Sequence, residues 1–200
     1  FTRSIHYYEL LEVAGDLEQA LGRYDEAASL YKKIAIGPPP MVVRAGRLKG
    51  DVLAAEGRYP EAIKEFEKVQ SVDLVGGFVE QEKMMACLGQ AESLLSLGRF
   101  SEAASLIRTM LSGSHPEEVP VATTHVLLGN AYSLLGRALA EMKQDQDALI
   151  AYLTVDLVYG EAPETHAEAL FQLFQLWNRG GYPRRAEEVR KKLIKTYPKS

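Results

Sequence analysis

Large apolar and small residues recur along this chain at offsets of three, four and seven, and the recurrence itself repeats. Ala27, Leu30, Tyr31 and Ile34 form one such stripe, and Ala62, Phe66 and Val69 a second. Ala103, Leu106, Ile107 and Met110 form a third, and Ala148, Ala151, Tyr152 and Val155 a fourth. That spacing places each set on one face of a helix. A small residue opens every stripe, and with Ala186 these markers follow one another at intervals of 35, 41, 45 and 38. A second stripe precedes each: Leu11, Ala14 and Leu17 in the first unit, Leu135, Ala138 and Leu139 in the fourth. Between the two stand Gly22, Gly57 or Gly98, residues able to take the left-handed conformation that ends one helix and reverses the chain. The turn-prone segments IGPPP (36–40), VGGF (75–78), SGSHP (112–116) and GEAPE (160–164) separate each helix pair from the next. The pattern predicts an all-α chain of about five helix–turn–helix units and roughly ten helices. Their expected bounds are 5–36, 41–73, 78–112, 119–160 and 164–197, in a single domain over 1–200. One hairpin cannot bury its apolar face alone, so hairpins must stack.

Specific phrases accompany the periodicity: GRYDEA at 22–27, GRYPEA at 57–62, GRFSEA at 98–103, LGNAY at 128–132, LGRAL at 135–139 and the proline of KTYPKS at 195–200. On these the chain resembles the tetratricopeptide repeat family. The resemblance implies a right-handed α-α superhelix whose first helices line a concave side. Family units run to about 34 residues, so the intervals of 41 and 45 are longer by close to two and three helical turns. Long first helices over 78–96 and 119–142, projecting past the edge of the solenoid, would absorb the excess; extra loop is the alternative. Where earlier units have Tyr31, Phe66, Ile107 or Tyr152, the last has Arg190 amid Glu187, Glu188, Lys191, Lys192 and Lys195. A polar outer helix of this kind suits the end of a stack, and the start at Phe1 reads as a cut or a continuation.

Composition narrows the function. An apolar fraction of 46% with 25% charged residues is that of a globular protein, and the net charge of −4 supplies no basic field for nucleic acid. No apolar run is long enough to span a membrane. The single Cys87 excludes an internal disulfide and reads as a buried structural thiol. His6, His115, His125 and His166 show no metal-ligand spacing, and His115 and His166 read as surface or loop residues. Gly76-Gly77 lacks a following Lys-Ser/Thr and reads as a helix break, and no serine stands in a nucleophile elbow. Glu117-Glu118 suits a helix N-terminus. The expectation is no enzyme, no metal and no cofactor. Residues 179–200 carry eight Lys/Arg against two Glu, leaving the first 178 at −10. That asymmetry fits either a solvated terminal face or a surface for an acidic partner or anionic membrane.

The family resemblance, combined with helical spacing, assigns the groove positions. They are Glu9, Glu12 and Asp16 in the first unit and Arg44, Arg47 and Asp51 in the second. Lys83 and Gln90 follow, then Asn130, Ser133 and Arg137, then Gln175 and Asn178. Family members that clamp a peptide's terminal carboxylate use Lys and Asn in the first groove helix; Glu12 and Asp16 stand there instead and speak against that mode. Arg44, Arg47 and Arg137 would suit acidic side chains. The implied function is a non-catalytic scaffold that binds a protein or peptide. Two alternatives stay open: a self-associating module using Ile5, Tyr7 and Tyr8, and a substrate-positioning domain of a larger protein. The closing IKTYPKS is similar to bacterial envelope-associated repeat proteins, which leaves cytoplasm and periplasm both open.

Overall fold

The structure, a computed structural model, describes residues 5–113 and 119–198. The described residues form ten α-helices and no strand. They are α1 (Ile5–Ala20), α2 (Tyr24–Ile34), α3 (Pro39–Ala55), α4 (Tyr59–Gln70) and α5 (Gly77–Ser96), then α6 (Phe100–Ser112), α7 (Val121–Glu141), α8 (Asp145–Val158), α9 (Pro163–Arg179) and α10 (Pro183–Thr196). Helices α5 and α7, at 20 and 21 residues, are the longest, so added helix takes up part of the two long intervals and the connections between helices the rest. His115 and Glu117-Glu118 lie outside the described residues.

The helices sort into two compact units, the first holding α1–α5 and the second α6–α10. In the first, each helix packs on its successor, and α3 also touches α1 and α5. In the second, successive helices again pack, and α7 also meets α9.

The marker alanines explain why helices come so close. Ala27, Ala62, Ala103 and Ala148 have no solvent exposure, and Ala186 has 1%. Four residues on, the large side chain of each stripe (Tyr31, Phe66, Ile107, Tyr152) is buried too. In three units that aromatic lies on a glycine of another helix: Tyr31 over Gly15, Phe66 over Gly50, Tyr152 over Gly136. A Cβ on Gly50 would stand 2.5 Å from Phe66, and one on Gly136 2.8 Å from Tyr152, so only a bare backbone admits the ring. The last hairpin differs: Arg190 holds the equivalent place and is exposed.

Each hairpin closes in the same way. Gly22, Gly57, Gly98 and Gly181 have φ between +72° and +78°. The following amide bonds back to the carbonyl five residues earlier, as in Arg23 to Glu18, Arg58 to Leu53 and Tyr182 to Trp177. The α7–α8 turn makes the same bond, Gln144 to Leu139, but places Lys143 at φ +62°. A side chain there is strained by about 1 kcal/mol or more. Lys143→Gly should therefore raise the stability of the second unit by about 0.5–1 kcal/mol, after the entropy glycine adds to the unfolded chain. Urea unfolding followed by Trp177 fluorescence checks this, since Trp177 lies in that unit. A loss of stability would contradict it.

Candidate functional site

The first helices of the amino-terminal unit carry a connected set of charges. On α3, Arg44 and Arg47 are three residues apart and Asp51 follows four later, so all three share a face. Glu12 reaches them from α1 and Glu82 from α5. Arg44 places Nη1 3.0 Å from Glu12 and Nε 2.9 Å from Glu82, with its guanidinium 4.6 Å from the Phe78 ring centre. Arg47 donates through Nη2 to Glu12 at 3.1 Å, and also to Asp51 and Glu82. Tyr31 of α2 adds a hydrogen bond to Asp16 of α1 at 2.6 Å.

Burial makes this set costly to disturb. The Glu82 side chain is 1% exposed and Arg47 7%, and a charge so far from water persists only when paired. Burial alone would lower Arg47's pKa, but Asp51, Glu82 and Glu12 outweigh it and hold the guanidinium firmly charged. Three carboxylates face two guanidiniums, so negative charge is in excess. Burial, with Glu82 and Asp16 nearby, pushes Asp51 up to about 6 despite Arg47. Glu12 is also raised, chiefly by burial.

Beside this network lies a cleft of about 360 Å³ among α1, α3, α4 and α5. Gln19, Asp51, Glu92, Ser93 and Ser96 give it polar walls, with Phe66 and the bare backbone of Gly89 also lining it. A wider cleft of about 600 Å³ opens over α2, α3 and α4, lined by Lys32, Lys49, Lys64 and Lys68 together with Glu56, Glu61 and Glu65.

The structure thus unites Glu12, Arg44, Arg47 and Asp51, which the family resemblance together with helical spacing had placed on one surface. Arg47 is turned inward and engaged by carboxylates of its own chain. Lys83 stands apart, bonded to the Leu74 carbonyl at 3.2 Å and paired with Glu80 at 3.0 Å. Gln90 is buried and bonds to Gln70 and Glu67 of α4, a second helix. In the carboxy-terminal unit Asn130 accepts a hydrogen bond from Thr165 at 2.6 Å, Ser133 is buried, and Arg137 is half-buried. Gln175 and Asn178 are exposed on α9.

Sequence reasoning missed Glu82. The signal was present, since Glu82 falls three after Val79 and four before Ala86, both buried: a carboxylate inside an apolar stripe. Three other expectations need correction. His166 is 8% exposed, with Nε2 2.7 Å from Asp156 and Nδ1 2.8 Å from the Tyr197 hydroxyl, so it ties α8, α9 and the following chain together from the interior. Tyr8 is core, at 6% exposure, and Tyr7 is half-buried against it; the Ile5 side chain lies outside the described residues. Leu17 belongs to an exposed ridge of α1 rather than its buried stripe. Cys87 is buried, and burial pushes its thiol up to about 11, which keeps it protonated.

Residues 13–73 match the family model described as tetratricopeptide repeat. Residues 13–73 thus carry the tetratricopeptide repeat signature, and the hairpins that follow share its helix–turn–helix form. The chain's fold is that of solved repeat proteins at low identity. MamA from Desulfovibrio magneticus RS-1 superposes with a TM-score of 0.65 at 18% identity, over 95% of this chain and 94% of that one. BtubC from P. vanneervenii gives 0.74 at 16% identity, over 94% and 78%. YrrB, a TPR protein with an unusual peptide-binding site, gives 0.55 at 17%, over 94% and 86%. Among curated proteins none matches the chain significantly in sequence. No helix is long and apolar enough to cross a membrane, among the described residues.

The raised Asp51 carboxyl has a consequence for stability. A carboxyl whose folded pKa lies above its unfolded value stabilises the fold below the unfolded pKa, and that contribution disappears as pH rises through the folded pKa. For Asp51 the window runs from about 4 to about 6. Carbon-detected NMR should find Asp51 titrating near 6. Asp51→Asn should gain about 1–2 kcal/mol relative to the parent between pH 4 and pH 7. A midpoint near 4, with no relative gain, would contradict the burial of this carboxyl.

Proposed function

We propose that residues 1–200 form one non-catalytic interaction domain that holds a protein or peptide along the face of its first helices. In the amino-terminal unit this is the surface of α1, α3 and α5, and the cleft beside Asp51 is the observation that carries the reading. Its walls offer amide, hydroxyl and carboxylate groups. Helical scaffolds of this fold present binding surfaces of that kind, and the peptide-binding site of YrrB is a precedent among its structural relatives.

The partner's charge follows from the network. Arg44 and Arg47 would have received acidic side chains, but Glu12, Asp51 and Glu82 already neutralise them. An acidic ligand would have to displace Glu12, Asp51 or the buried Glu82 from them. The cleft instead suits an uncharged or basic peptide, whose cation would meet the excess negative charge. Asn130, Arg137, Gln175 and Asn178 are the corresponding candidates in the second unit, along α7 and α9.

Peptides selected on the folded chain from a random displayed library test the assignment. Hydrogen exchange with a selected peptide bound should slow amides of α1, α3 and α5. Asp51→Lys with Glu92→Lys should weaken binding by about tenfold, roughly 1.4 kcal/mol. Protection confined to α2 and α4, over the lysine-lined cleft, would move the site to the other side of that unit.

A further inference from the structure

Helix α1 presents a face that the rest of the chain leaves bare. Leu10, Val13, Leu17 and Leu21 follow one another by three, four and four residues and are 70%, 66%, 60% and 56% exposed. Three large apolar residues aligned along α1, continued by Leu21 just past its end, form an unpartnered seam, unlike scattered surface leucines. The repeat shows what such a seam receives. Adding the 35-residue interval between Ala27 and Ala62 carries Leu10, Val13 and Leu17 onto Ala45, Leu48 and Val52 of α3. Those three are 6%, 3% and 4% exposed, buried in one cluster with Ala27, Tyr31 and Ile34 of α2. The equivalent surface one hairpin later is therefore covered by an amphipathic helix. On α1 nothing in the described chain covers it.

Charge selects among occupants. Helix α1 has no Lys or Arg; Glu12 is engaged by Arg44 and Arg47 and Glu18 by Arg23, which leaves Glu9 and Asp16 as its acidic edge. A second copy seated through the same ridge would set two such edges against each other, where like charges oppose pairing. A helix edged with Lys or Arg meets opposite charge instead. We infer that the outer face of α1 is a docking seat for a partner's amphipathic α-helix. That helix is apolar where it meets Leu10, Val13, Leu17 and Leu21 and basic along its edges. Helix-in-groove recognition reads anchors at this spacing. The seat lies about 100° round the helix from Glu9, Glu12 and Asp16, so it is a different surface from the cleft proposed above and stands or falls separately.

The probe is a synthetic stapled helix with leucines at the ridge's own spacing and lysines at its other exposed positions. Its counterpart has every lysine replaced by glutamate. Fluorescence anisotropy against the whole chain should show binding of the lysine helix and at least about tenfold weaker binding of the glutamate helix. Leu10→Asp with Leu17→Asp should also weaken the lysine helix at least about tenfold. The added aspartates sharpen the test: non-specific attraction of a cationic peptide would strengthen with them, whereas a seat requires the loss. Because both leucines are exposed, the variant should keep the parent's circular dichroism and melting temperature. Three results would overturn the inference: no binding to the parent chain, equal or tighter binding to the variant, or a parent dimer in sedimentation that the same substitutions disperse. The last would give the ridge to a second copy.

Discussion

A carboxylate with essentially no solvent exposure governs the amino-terminal unit. Glu82 projects from α5 into the space between helices, and its charge is tolerable only because Arg44 and Arg47 of α3 both reach it. Those arginines in turn bind Glu12 of α1, so three first helices are joined by one set of ion pairs. Removing one member would strand the others in a region with little water. The face is thereby held in a single arrangement, and its two arginines are withdrawn from use by a ligand.

The same charges decide what the face can accept. Three carboxylates face two guanidiniums, and burial, with Glu82 and Asp16 adding to it, raises Asp51. A cation brought into the adjoining cleft would offset the excess negative charge; an anion would add to it. Electrostatic complementarity of this sort acts on partner choice more than on raw affinity. The apolar ridge of α1 obeys separate physics, being a seam of exposed side chains whose equivalent on α3 is covered by α2.

Most of the fold was legible because stacking helices leaves a periodic record. Alanines where helices touch, a large side chain four residues on and a glycine at each reversal are local requirements, and each was written at its own position. The long helices were legible for a related reason, since insertions near whole turns keep the buried face in register. The site was only partly legible. The family resemblance and helical spacing together placed Arg44, Arg47, Asp51 and Glu12 on one surface, but gave no sign that Glu82, about 35 residues away, would claim both arginines. Pairings of that range depend on how helices dock, which no single-helix pattern records. Gln90 and His166 show the same limit: each turned inward to a partner on another helix. The bare ridge of α1 was hidden because Leu17 completes a plausible stripe with Leu11 and Ala14.

The decisive measurement is a double-mutant cycle on Arg47 and Glu82, using Arg47→Met, Glu82→Gln and the pair. It is read by native-state hydrogen exchange of the α1, α3 and α5 amides, because the chain's one tryptophan lies in the other unit. Each single substitution should lower the opening free energy of all three helices, and the two should couple by about 2 kcal/mol or more. Additive effects within about 0.5 kcal/mol, or a loss of protection confined to α5, would mean that the buried pair does not hold the face together.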